Sequence, residues 1–317
     1  LLIGELNAQK SYNALPKYAA TSLKEDAAIL KKVLEANHPS LYWYTPKQQL
    51  DSAFDNMFNS ISDSLNEIEF RNKVAPWVAM IKCGHTTALY SKKFIKELPP
   101  YRYPRFPLQI KFWEDSAVVL SNGYYKDSII QRGTIVQTIN NKPVAYYRDY
   151  LFKQITTDGY AINHQYQTLS SSFPDSYKQV FGVDSTYLIG YINQAGKADV
   201  ISLGNFVPAP RDTGTNRPRP SIRQASLSNR QLRLLSLRSL SIDTVTHSAY
   251  IRLTTFSKGN LKTFFRRSFR KLKQENIQHL ILDLRENGGG RISNSIALTK
   301  YLKQGPFKIA DSVVAIS

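Results

Sequence analysis

The chain has 317 residues, 42% of them hydrophobic, and carries 42 Lys and Arg against 24 Asp and Glu for a formal charge of +18. That length buries more than one core, and no apolar run approaches the ~20 residues of a membrane-spanning helix. The single cysteine, Cys83, excludes an internal disulfide and a cysteine-based metal site, so neither a metal nor a cofactor is expected.

The charge is local. Residues 211–240 hold seven arginines against Asp212, and residues 252–273 hold eight basic residues and no acid, so these two segments carry 14 of the net 18 charges. The first lacks the interleaved aromatic residues that would stack on bases, and the second fits the solvated face of a helix. Nucleic acid is therefore not an expected partner.

Leu1, Leu2 and Ile3, followed by Gly4 and by 6–9 (Leu-Asn-Ala-Gln), look like the tail of a signal peptide cleaved near Gln9, which would leave an exported protein. A frayed terminus of a cytosolic protein reads equally well from so short a stretch. Beyond it, Ser22 and Glu25 form a capping box, and Ala27, Ile29, Leu30, Val33 and Leu34 recur at helical spacing until Asn37-His38-Pro39. Thr45-Pro46 starts a second helix with the stripe Leu50, Phe54, Met57, Phe58 and Ile61. Ser64 and Glu67 cap a third, whose buried residues are Ile68, Phe70, Val74, Trp77, Val78 and Ile81, with a kink at Pro76.

Cys83-Gly84-His85-Thr86 is then a sharp turn into a short strand ending near Tyr90. His85 reads either as a hydrogen-bonded structural residue or as a catalyst. From 106 to 203 the pattern is short strands, at 108–113, 117–120, 135–139, 187–192 and 199–203. Among them, residues 133–144 resemble the G-x-x-I-x-x-I-N-x-x-x-V core of a PDZ domain, with a helix following at 146–155. That likeness implies binding of peptide C-termini by strand addition, and a β-rich spacer without a ligand is the alternative.

Residues 205–240, rich in Pro, Ser and Arg, read as a loop or linker. A βαβ unit follows, with a strand at 249–256 and a helix at 260–274 that turns Phe264, Phe265, Phe269 and Leu272 inward and Arg266, Arg267, Arg270 and Lys273 outward. Its last strand contains Ile281, Leu282 and Leu284 and reads as covered on both faces. It ends at Arg285-Glu286-Asn287, before Gly288-Gly289-Gly290 and a helix. Free N–H groups in such a turn stabilise a phosphate, a carboxylate or an oxyanion. Residues 288–293 approximate G-x-G-x-x-G, but the carboxylates of Asp283 and Glu286 would meet a pyrophosphate with like charge.

The order of these parts resembles the carboxyl-terminal processing (tail-specific) serine peptidases, most specifically over Leu280 to Gly290, with Tyr250 to Phe256 and the His85 turn in support. The resemblance implies a multidomain α+β chain: a signal-peptide remnant at 1–9, a three-helix N-terminal domain at 17–95 and a PDZ-like domain at 104–204. A basic linker or loop follows at 205–241, then the start of a ClpP/crotonase-like α/β protease core at 242–317. It implies a protein or peptide substrate, engaged at its C-terminus if the PDZ-like part binds, and a place in the periplasm or cell envelope. By the same likeness Gly289 and Gly290 supply oxyanion-hole backbone, and His85 is the general base, with Cys83 standing where the family's turn has aspartate. Members with a serine-lysine dyad would leave His85 structural. The family's serine lies beyond the glycine turn after at least one more strand, so the chain is expected to be an N-terminal portion, inactive alone. Ser293 and Ser295 are expected to be ordinary helix residues. The other reading is a non-catalytic peptide-binding pseudoenzyme.

Overall fold

The computed structural model describes residues 15–97, 104–124, 127–207 and 228–310. The expected signal-peptide remnant and most of the arginine-rich loop lie outside them. The architecture is mixed α/β and divides into two compact units, residues 1–212 and 213–317.

In the first unit, β1 (Lys17–Tyr18) precedes α1 (Ala20–Asn37), followed by α2 (Lys47–Asn59), β2 (Leu65–Asn66), α3 (Glu67–Ala79) and α4 (Lys92–Glu97). The apolar stripe of α2 is as the spacing predicts: Leu50, Phe54, Met57 and the following Ile61 are buried with Leu23, Ala27, Trp77, Val78 and Ile81. The Trp77 indole N–H donates to the Leu50 carbonyl at 3.0 Å, tying α3 to α2. Three details of the sequence reading change. Helix α1 starts at Ala20 without a side-chain cap, so Ser22 and Glu25 form no capping box, and Ile29 and Val33 face solvent. The capping box of α3 is Asn66 with Glu69, in place of Ser64 with Glu67. Residues 86–91 form neither helix nor strand, so the strand expected after the His85 turn is missing.

Next come β3 (Leu108–Phe112), β4 (Ala117–Asn122), β5 (Ile135–Ile139), β6 (Lys142–Pro143), α5 (Val144–Phe152), α6 (Ile162–Phe181), β7 (Thr186–Ile192) and β8 (Ala198–Gly204). The five expected strands make an antiparallel sheet in the order β3-β4-β5-β7-β8, with β6 hairpinned onto β5. The two-residue Asn140-Asn141 turn joins that hairpin with both residues at positive φ, as such a turn requires. Helix α6 has no counterpart in the sequence reading. It runs through three consecutive serines and Pro174, bends at Ser172, and holds because Leu169, Phe173 and Tyr177 recur every four residues against the sheet. The Phe106 ring packs 5.2 Å from Phe173, 5.1 Å from Tyr177 and 4.9 Å from Tyr187. The helical and sheet parts of this unit are joined where Pro76 has no N–H to give the carbonyl of Asn72. Gln154 Nε2 donates to that oxygen instead, at 3.2 Å.

The second unit contains α7 (Asn229–Leu237), β9 (Arg238–Asp243), β10 (Ser248–Leu253), α8 (Leu261–Gln274), β11 (His279–Asp283) and α9 (Ile292–Leu302). From residue 229 the expected linker is thus helix and strand, because Leu240 and Ile242 pair with Ile251 and Ala249 and pack on the core. The βαβ unit forms as read: β10 and β11 are parallel, and α8 buries Leu261, Phe264, Phe265 and Leu272 while Arg266, Arg267, Arg270 and Lys273 stay exposed. Among the described residues, strand β11 is covered on one face only. It is the edge of the described three-stranded sheet, and its alternation turns Leu280 and Leu282 inward and leaves Ile281 59% exposed.

Phe173→Ala removes a ring shared by the sheet and α6, and is expected to cost the first unit about 3–5 kcal/mol, read as a lower urea midpoint. The exposed Val200→Ala should leave the midpoint unmoved within about 0.5 kcal/mol.

Candidate active site

The His85 turn is fixed before any catalytic role is considered. After α3, Lys82 takes a left-handed φ of 56° and swings the chain out of the helix. Cys83 to Thr86 then closes a turn, with the Thr86 N–H on the Cys83 carbonyl at 3.0 Å. A second loop, 156–159, is laced to it. The Gly84 N–H donates to Asp158 Oδ1 at 2.6 Å, the Gly159 N–H to the Lys82 carbonyl at 2.9 Å, and the hydroxyls of Thr87 and Thr156 meet at 3.1 Å. From the end of α1, His38 Nε2 reaches the Thr86 hydroxyl at 3.0 Å. His85 and Asp158 are exposed and Cys83 half-buried, and the donor atoms of all three lie within 4.8 Å of one another.

The sequence marks His85 but not Asp158. A lone aspartate beyond α5 carries no local signature, and only the packing of the two loops brings it to the histidine. Beside the turn lies a cleft of about 310 Å³ whose lining includes Gly84, Thr87, Gln154, Thr156 and His164.

In the second unit the glycine turn is built on Asp283. Its carboxylate is 6% exposed, accepts the Tyr250 hydroxyl, and receives both Nε and Nη2 of Arg285 at 2.9 Å. The Arg285 guanidinium, followed by the Tyr250 hydroxyl, holds this carboxyl well below the usual carboxylate range. Glu286 pairs with Arg252 at 2.7 Å. Like charge is therefore not what separates this turn from a phosphate cradle, since both carboxylates already have cationic partners.

Asn287 braces the turn from within. Its Nδ2 donates to the Leu253 carbonyl at 3.0 Å and its Oδ1 accepts the Gly289 N–H at 2.9 Å. The Phe256 N–H then donates to the Gly289 carbonyl at 2.8 Å, and the Arg291 N–H reaches the Phe256 carbonyl at 3.3 Å. Gly290, at φ 145°, lies so close to Phe256 and Ser257 that a Cβ would sit 2.5 Å from the Phe256 carbonyl carbon. Of the two expected oxyanion donors, Gly289 is thus engaged by Asn287, whereas no described residue accepts the N–H of Gly290. Ser295 returns its hydroxyl to the Ile292 carbonyl at 2.8 Å, as an ordinary helix serine does, and Ser293 is an exposed residue of α9. His85 belongs to the first unit, Gly289 and Gly290 to the second.

Residues 247–311 match the model of Peptidase family S41, the stretch that contains β10, α8, β11 and the glycine turn. The resemblance to the tail-specific peptidases thus has a match where its most specific residues lie. No curated protein sequence matches the chain. Among solved structures, the fold is similar to mature CPAF complexed with lactacystin, with a TM-score of 0.58 and 12% identity over 88% of this chain and 59% of that one. Mature CPAF alone gives a TM-score of 0.54 at 12% identity, over 86% and 56%. The chain therefore spans less than two thirds of the solved chains it matches.

Gly290→Ala is expected to destabilise the second unit by about 1–3 kcal/mol, since backbone must move to admit the methyl group, whereas Gly288→Ala meets nothing within 4 Å. Denaturant midpoints compare the two. For Asp283, whose folded pKa is depressed, the stabilisation is complete above the unfolded value of about 3.9 and is lost as pH falls through the acid range. Asp283→Asn should accordingly flatten the loss of stability below about pH 4.

Proposed function

We propose that this chain is part of a serine endopeptidase of the carboxyl-terminal processing type, acting on exported proteins or peptides in the periplasm or cell envelope. The observation that carries the reading is the glycine turn inside residues 247–311, where the family match falls and where the Gly290 N–H is left unbonded by any described residue. A backbone donor of this kind stabilises the negative charge that develops on a scissile carbonyl oxygen.

His85 serves as the general base. No described group hydrogen-bonds its imidazole, so a ring nitrogen is available to take the proton of an attacking serine and return it to the leaving amine. The Asp158 carboxylate lies beside it, with donor atoms within 4.8 Å. The nucleophile itself is a serine outside these 317 residues, as the family resemblance implies. Peptide C-termini add as a strand to the sheet of residues 104–204, and that engagement positions the chain to be cut.

The test uses the protein expressed from its full reading frame. A fluorophosphonate should label one serine, and His85→Ala should slow labelling by about 10²-fold or more, the usual contribution of a general base. A protein that takes no label is a peptide-binding module and sinks the peptidase reading. Labelling at the same rate in His85→Ala removes His85 from the chemistry and assigns the base to a lysine.

A further inference from the structure

Cys83, His85 and Asp158 bring a thiol, an imidazole and a carboxylate together at one point, with donor atoms within 4.8 Å of one another. We propose that these three side chains form a binding site for a thiophilic divalent cation, zinc above all. Among the described residues this is the one group of three such donors close enough to share an ion.

The donor chemistry selects the metal. Thiolate, imidazole and carboxylate are zinc's three protein ligand types, whereas calcium and magnesium take oxygen donors. Charge selects it as well. A thiolate and a carboxylate together offset a dication while the imidazole binds neutral, so the loaded site carries no net charge. Lys82, the nearest cation in sequence, holds its ammonium over the Tyr160 ring, 3.7 Å from the centroid.

Geometry asks for a modest closure. Bonds of about 2.0–2.3 Å in a tetrahedron put ligand atoms roughly 3.3–3.7 Å apart, so donor atoms now within 4.8 Å of one another close by at most about 1.5 Å. Side chains can supply that movement, because His85 and Asp158 are exposed and Cys83 is half-buried. The backbone need not move. The Gly84 N–H holds Asp158 Oδ1 at 2.6 Å and the Gly159 N–H holds the Lys82 carbonyl at 2.9 Å, so the two loops are joined before an ion arrives. A hydrogen bond of the first kind is also what orients a ligating carboxylate from its outer shell. Three protein donors leave the fourth position to water or to another ligand.

The sequence reads as metal-free because one cysteine cannot make an all-cysteine site. A mixed site needs Asp158, which arrives from a separate loop. Its consequence rests on the peptidase reading: a cation on the imidazole occupies the lone pair that His85 needs as a base, so zinc would hold the enzyme inactive.

The test titrates the reduced 317-residue chain with cobalt(II) alone, following the near-ultraviolet thiolate-to-cobalt charge-transfer band. The expected result is a band that saturates at one equivalent and is displaced by zinc. It should vanish in Cys83→Ser and need at least tenfold more cobalt in Asp158→Asn and in His85→Ala. No band, or an unchanged band in Cys83→Ser, overturns the site. On the protein from the full reading frame, zinc should slow fluorophosphonate labelling and a chelator restore it. A cobalt band with zinc-insensitive labelling keeps the site and removes His85 from the peptidase chemistry. Normal labelling without a band does the reverse.

Discussion

The hydrogen bond from the Gly84 N–H to Asp158 joins two loops that the chain separates by a helix, four strands and a second helix. It sets where His85 stands, and it crowds Gly84, where a Cβ would lie 3.0 Å from the Asp158 carboxylate. The neighbouring bonds from Gly159 to Lys82 and from Thr87 to Thr156 repeat the same join. Exposed hydrogen bonds of this kind each add little to stability. Their effect here is positional: a flexible surface turn becomes a fixed platform for an imidazole, a thiol and a carboxylate.

A comparable constraint organises the second unit. The close approach of Gly290 to Phe256 and Ser257 fixes the path of the turn, and Asn287 fills its inside by bonding both Leu253 and Gly289. Upstream, the Asp283, Arg285 and Tyr250 group anchors the strand from which the turn departs. The polar residues that close β11 in sequence are therefore structural struts in space. They frame a turn in which the Gly290 N–H has no acceptor among the described residues.

What the sequence made legible was local. Apolar spacing read α2 and α8 correctly because Leu50, Phe54 and Met57, and Phe264, Phe265 and Leu272, lie on one face of each helix. The strands at 135–139 and 187–192 were legible from their β-branched and aromatic runs, and the His85 and glycine turns from their residue types. Helix α6 was not, because its serines and Pro174 have poor helix propensity and the sheet beneath supplies what propensity lacks. Apolar and cap spacing place the cap of α3 two residues early because Ser64 and Asn66 are both competent caps, and only Asn66 is placed to exchange bonds with Glu69. Asp158 was beyond reach for another reason. Its partnership with His85 is a property of two packed loops and has no trace in either segment alone.

The two features that suggest chemistry, an open imidazole beside a carboxylate and a glycine turn whose Gly290 N–H no described residue accepts, make a peptidase the central claim. Its most direct test incubates the protein from the full reading frame with an unstructured exported polypeptide and reads the products by intact mass. The account predicts fragments that sum to the substrate plus one water for each bond cut, and their disappearance after fluorophosphonate treatment. An intact substrate after prolonged incubation, with the protein folded, would contradict it.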